Sequence, residues 1–218
     1  MNNNSIHEIV RILRQEVLKW KTPAVSVVAE DSRNPFYVLI SCLLSLRTKD
    51  ETTAEAFTRL KRRAQTPQGI LRLPEEELAR IIYPVGFYNQ KAKTLREVSR
   101  VLIDEYNGEV PNSIDELLKL KGVGHKTANL VVTLGFNKPG ICVDTHVHRI
   151  PNRWGYIATK TPKHSEIALR EKLPPEYWIE FNDLLVTFGQ NVCLPISPKC
   201  SQCRLAAYCE RKNVARSR

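Results

Sequence analysis

The chain has 218 residues, 42% of them hydrophobic and 26% charged, which is enough to bury a core without covalent staples. Its longest apolar runs, Val38–Leu44 and Leu130–Leu134, fall far short of the ~20 residues of a membrane span. The polar Met1–Asn4 leads straight into an amphipathic pattern with no secretory signal, so a soluble intracellular protein is expected. The net charge of +10 suits a protein that meets phosphates.

In chain order the pattern reads as helix after helix. Ser5–Trp20 puts Ile6, Ile9, Ile12 and Leu13 on one stripe. Ala24–Ala29 is the one short β candidate, and Phe36–Leu44 is a nearly continuous apolar run. Lys91–Tyr106 carries Leu95, Val98, Val101, Leu102 and Tyr106 at helical spacing and stops at the helix-ending pair Asn107–Gly108. Ser113 and Glu116 form a capping box ahead of Leu117 and Leu118. Tyr177–Phe188 repeats the helical stripe with Trp178, Phe181, Leu184, Leu185 and Phe188. An all-α fold follows.

Between two of these helices lies Gly122-Val123-Gly124-His125-Lys126-Thr127-Ala128. The glycines permit a sharp turn and close approach of a ligand to the backbone. The next helix starts near Gly124 with unpaired N–H groups and a positive dipole end, a seat for a phosphate held without base reading. A tight corner between helices with no ligand would leave the same trace. Gly122, Val123, Gly124, His125 and Thr127 are the candidate phosphate contacts of this hairpin, and so its DNA contacts if the phosphate belongs to DNA.

Lys126 is oddly placed in a first helical turn, where the dipole favours anions. The same field favours the free amine over the ammonium, and a free amine is what Schiff-base chemistry at a sugar aldehyde carbon needs. Position alone favours the plainer reading, a solvated lysine touching a phosphate. Asp144, in Val143-Asp144-Thr145-His146-Val147-His148-Arg149, opens another helical pattern as an N-cap. A carboxylate held that rigidly can also stabilise an oxocarbenium cation or relay a proton. His146 and His148 do not share a helical face, so a zinc pair is not expected, and His146 is assigned a structural or phosphate-contacting role.

Six cysteines in an intracellular chain argue for metal or redox chemistry over disulfides. Cys42 and Cys142 sit in apolar runs and read as core. Cys193, Cys200, Cys203 and Cys209 fall within seventeen residues, close enough to share one site. Spacing alone fits both a Cys₄ zinc site and a four-iron, four-sulfur cluster. The residues from Lys199 onward hold Lys199, Arg204, Arg211, Lys212, Arg216 and Arg218 against Glu210 alone, half of the whole net charge.

Together these residues resemble the endonuclease III family of helix–hairpin–helix DNA glycosylases. The resemblance runs from about Ser5 to Lys212. It rests on Leu120-x-Gly122-Val123-Gly124-x-Lys126-Thr127-Ala128-Asn129, on Val143-Asp144-Thr145-His146 and on the Cys-x₆-Cys-x₂-Cys-x₅-Cys loop. Gly86-Phe87-Tyr88-Asn89-x-Lys91-Ala92 and Asn107-Gly108-Glu109-Val110-Pro111 match as well.

The resemblance implies a bilobal all-α fold with the active cleft between the lobes. Residues 28–138 would form the six-helix domain with the hairpin. Residues 1–27 and 139–218 would form a discontinuous domain with one 4Fe-4S cluster held by Cys193, Cys200, Cys203 and Cys209, which raises iron–sulfur above zinc. It implies a lesion base flipped out of the duplex, Lys126 as the nucleophile at C1′, Asp144 as the essential carboxylate, and strand cleavage by β-elimination.

The expected activity is therefore a bifunctional DNA glycosylase/AP lyase of base excision repair. It would act on oxidised or damaged pyrimidines in double-stranded DNA, or on abasic sites, as a cytoplasmic, nucleoid-associated monomer. A mismatch or uracil-type glycosylase and a non-catalytic DNA-binding module are the alternatives, and Lys126 with Asp144 argues against the latter. Two departures from the family pattern stand out. Arg47 occupies the place where a glutamine often fills the gap left by the flipped base. The loop between Cys193 and Cys200 carries only Lys199 where the family usually bears several cations, so Arg204, Arg211 and Lys212 are expected to share its phosphate contacts.

Overall fold

The structure, a computed structural model, describes residues 3–32 and 34–218, without the side chains of residues 3, 4 and 30. Met1 and Asn2 of the polar N-terminal stretch lie outside the described residues. Among the described residues the regular structure is helical, with no strand, and no helix is long and apolar enough to cross a membrane. The chain divides into two units, Ala24–Lys138 and Met1–Pro23 with Pro139–Arg218.

Helix α1 (Asn3–Val17) belongs to the discontinuous unit, and α2 (Ala24–Ser32) opens the continuous one. The β expectation for Ala24–Ala29 is corrected here. Ala24, Val25, Val28 and Ala29 are buried while Val27 is half exposed, the spacing of a helix face and not the alternation of a strand. A short apolar run does not distinguish the two, and packing against α3 (Pro35–Ser45) decides it.

The apolar run Phe36–Leu44 becomes the central helix of its unit. Asn34 caps α3 by accepting from the Phe36 and Tyr37 amides at 2.9 and 3.4 Å, and Pro35 fills the first turn. Every residue from Phe36 to Leu44 is buried, as expected of a helix apolar on all sides. Around it pack α4 (Asp50–Arg63), the long α7 (Tyr88–Tyr106) and the hairpin helix, while α5 (Pro67–Arg72) and α6 (Glu75–Ile82) lie along α7. Helix α7 ends as expected: Asn107 and Gly108 turn left-handed at φ 54° and 82°, and the Gly108 amide reaches Leu102 O at 2.7 Å.

The hairpin consists of α8 (Ile114–Leu117) and α9 (His125–Leu130), the latter running on into a π-helical turn at Val131–Gly135. Ser113 caps α8 by accepting from the Glu116 amide at 3.3 Å. The reciprocal half of the box goes elsewhere: the Glu116 carboxylate accepts from Tyr106 Oη at 2.7 Å and from Lys119.

In the discontinuous unit, α1 lays Ile6, Ile9, Val10 and Leu13 against α12 (Phe181–Asn191), with α10 (Thr145–Trp154) and α11 (Pro162–Lys172) beside it. The single helix expected over Tyr177–Phe188 is in fact two pieces, a 3₁₀ turn at Pro175–Tyr177 and α12 from Phe181. Pro174 and Pro175 set the turn, and the Trp178 indole donates to Leu173 O at 2.8 Å. Phe181, Leu184, Leu185 and Phe188 are buried together in one core with Trp154, Tyr156 and Leu205.

Candidate active site and cysteine cluster

In the hairpin, Gly122 sits at φ 78°, a conformation that side chains resist, and Val123 and Thr127 are buried beneath the turn. Gly124, His125 and Lys126 are exposed, with Gly124 as the N-cap of α9. A Cβ built on Gly124 would meet nothing within 4 Å, so its backbone has an open side. Lys126 lies close enough to the buried Cys42 that its positive charge favours the thiolate, although burial dominates and pushes that thiol up to about 12.

Elsewhere in the same unit Arg47 is exposed just beyond α3, at φ 53°, with its guanidinium 5.6 Å from the centre of the Phe87 ring. The turn that carries Arg47 is bonded to Lys91 of α7. Its Nζ donates to Leu44 O at 2.7 Å, Leu46 O at 2.5 Å and Thr48 Oγ1 at 3.1 Å. Burial pushes its pKa down to about 8. The signal was in the sequence: Lys91 falls on the apolar stripe Leu95, Val98, Leu102 of α7, a place where a lysine must find partners.

In the other unit Asp144 is the N-cap of α10, its Oδ1 accepting from the His146 and Val147 amides at 2.8 and 2.9 Å. His146 is half-buried with Nδ1 3.0 Å from Arg149 Nη2, against Gly189 of α12, where an added Cβ would stand 2.2 Å from that nitrogen. Arg149 Nη2 also donates to Cys193 O at 2.8 Å. His148 is used structurally, its Nδ1 2.7 Å from Ser165 Oγ.

Cys193, Cys200, Cys203 and Cys209 line one pocket, together with Arg153, Trp154 and Phe188. Cys193 follows α12, Cys200 opens a 3₁₀ turn at Cys200–Gln202, and Cys209 follows another at Ala206–Tyr208. The buried Arg153 donates to Cys193 Sγ at 3.4 Å, Leu194 O at 2.6 Å and Pro195 O at 2.7 Å, while the Arg211 amide points at Cys209 Sγ, 3.4 Å away. Among the described residues no three His, Cys, Asp or Glu side chains converge as they would on a single metal ion. The sulfurs border a space, with N–H donors turned toward two of them. Arg149 and Arg153 were not singled out by the sequence, because on an amphipathic helix a buried arginine and a solvated one look alike.

The expected basic contacts separate. Lys199 is half-exposed beside the cysteine pocket. Arg204 donates to the buried Glu16 at 3.1 Å and to Gln15 at 3.4 Å. Burial alone would raise the Glu16 pKa, but the bonds from Lys19 and Arg204 outweigh it and hold the carboxyl below its usual range.

Residues 40–175 match the HhH-GPD superfamily base excision DNA repair proteins. Over 177 residues the chain is 48% identical to Endonuclease III of Thermotoga maritima, covering 81% of this chain and 83% of that protein. Over 171 residues it is 44% identical to Endonuclease III-like protein 1 of Gallus gallus, covering 77% of this chain and 61% of the longer relative. A solved structure of a trapped endonuclease III–DNA covalent intermediate, an estranged-adenine complex, aligns with 97% of each chain at 34% identity and a TM-score of 0.84. The chain belongs to the HhH-GPD superfamily of base excision DNA repair proteins and, within it, to the endonuclease III family.

Proposed function

We propose that this chain is a bifunctional DNA glycosylase/AP lyase that removes oxidised or otherwise damaged pyrimidines from double-stranded DNA and cuts the strand at the resulting abasic site. The observation that carries the reading is Lys126: an exposed amine at the hairpin turn, in a chain with the fold of a protein that has been trapped covalently on DNA. Its amine attacks C1′ as the C1′–base bond breaks, the sugar ring opens, and a protonated imine forms. Loss of a C2′ proton and of the 3′ phosphate then completes β-elimination, and water releases the enzyme. Asp144, its orientation fixed by two amide hydrogen bonds, supplies negative charge for the oxocarbenium that develops as the base departs. Gly122, Val123, Gly124, His125 and Thr127 form the phosphate-holding hairpin. Arg47, His146, Lys199 and Arg204 are assigned further DNA contacts, with Arg204 the most constrained by its Glu16 pairing.

The four cysteines would hold one 4Fe-4S cluster. One pocket bordered by all four and N–H donors at two sulfurs suit such a cluster. By holding such a cluster, Cys193, Cys200, Cys203 and Cys209 would tie together the chain segments that carry Lys199 and Arg204. The same reading has the protein work in the cytoplasm on nucleoid DNA as a monomer; its +10 charge bears on the DNA contact alone.

The test is Lys126→Gln, which keeps side-chain hydrogen bonding but cannot form an imine. On a lesion duplex treated with borohydride, wild type should give a covalent adduct and the β-elimination product. The variant should give neither while still binding the lesion. An adduct that survives the substitution would remove Lys126 as the nucleophile.

A further inference from the structure

Two turns meet beside Arg47, and Lys91 bonds to both, to one through its side chain and to the other through its backbone amide. The first turn runs from the end of α3 through Leu46, Arg47 and Thr48. The second runs through Gly86 and Phe87 into α7. Arg47 and Phe87 are both left-handed, at φ 53° and 59°, and Phe87 is 63% exposed. Non-glycine residues in that region are strained and persist only where their surroundings over-determine them. Gly86 lies so close that an added Cβ would stand 2.6 Å from Arg47 O, and its amide donates to Thr48 Oγ1 at 3.2 Å.

Lys91 is the common anchor. Its backbone amide holds Phe87 O at 2.9 Å, while its Nζ spends all three ammonium donors on Leu44 O, Leu46 O and Thr48 Oγ1. Lys91 is 9% exposed, and the cost of burying its charge is offset by the turn oxygens themselves. The oxygens it holds flank an exposed arginine on both sides in sequence, so the clamp fixes the backbone from which Arg47 projects. We propose that Lys91 is a positioning residue for DNA recognition: by fixing the 44–48 turn it holds Arg47 in the one conformation from which it engages the duplex. The proposal rests on the reading of Arg47 as a DNA contact.

A double-substitution cycle on the full chain tests it, using a duplex with one tetrahydrofuran abasic analogue, which can be bound but not cut. Arg47→Ala should weaken binding about tenfold in the wild type. In a Lys91→Met background the same substitution should weaken it less than about twofold, because the arginine is no longer held in place. Equal losses in both backgrounds, or no effect of Arg47→Ala in wild type, would overturn the proposal. Thr48→Val removes one clamp oxygen, should shrink the Arg47 effect in the same direction, and carries the test if Lys91→Met does not fold. Leu95→Ala, one turn along the same helix, lowers stability without touching the clamp and should leave the Arg47 effect whole. If it shrinks the effect as Lys91→Met does, the role of Lys91 is merely structural. Borohydride trapping of wild type on a natural abasic duplex reports separately on the lyase reading, since that chemistry does not pass through Lys91.

Discussion

Gly122 and Gly124, separated by a single residue, serve different ends. Gly122 needs its lack of a side chain: φ is 78°, and an added Cβ would press on Thr94 Cγ2 at 3.2 Å. Gly124 needs nothing of the kind, since its backbone is extended and its Cβ position is open. An open position that the fold does not require is what close approach of a phosphate to the backbone would use. Gly124→Ala should therefore change unfolding stability by less than about 0.5 kcal/mol while weakening duplex binding, and Gly122→Ala should cost about 1 kcal/mol or more. Denaturant midpoints and binding titrations read the two effects apart. Undiminished affinity in Gly124→Ala would remove the hairpin backbone from the interface. The motif was legible in the sequence, but only coordinates separate the glycine that the turn demands from the one it does not. Lys91 is the converse case, visible as a lysine on an apolar stripe, with partners on a turn more than forty residues away.

At the scale of elements, Asp144 joins a structural duty to a chemical one, and the two can be separated. Asp144→Asn keeps the oxygen that accepts from the His146 and Val147 amides, so α10 should lose little stability. Asp144→Ala removes the cap and should cost about 1 kcal/mol. Base release should fall by orders of magnitude in both, while cleavage of a preformed abasic site falls less. Equal base release by Asp144→Asn and wild type would deny the carboxylate any chemical role. Helices with a capping signal and a stripe, such as α7, were readable from the sequence almost to their ends. Ala24–Ser32 and Tyr177–Asn191 were not. The first is decided by what α3 offers it, the second by a proline-set turn that interrupts an otherwise unbroken stripe.

For the whole molecule, the +10 charge sets the binding law, and individual cations must be judged by what else they hold. Arg204 is engaged with Glu16, Lys212 with Glu210 at 2.8 Å and Lys121 with Glu97 at 2.6 Å, yet the surplus remains. If roughly 4–6 phosphates are neutralised, the logarithm of affinity should fall with the logarithm of salt at a slope near −4 to −5. A slope near zero would leave the charge unexplained. Anaerobically purified protein should carry about four irons per chain, and Cys193→Ser should lose iron and duplex affinity together. Stoichiometric zinc in place of iron would refute the cluster. The lysine's place in the chemistry is open to a direct reading. Wild type trapped by borohydride on a lesion duplex, then digested and sequenced by mass spectrometry, should carry the DNA remnant on Lys126. A remnant on another amine, such as Lys121 or the N-terminus, would contradict the assignment even with the family unchanged.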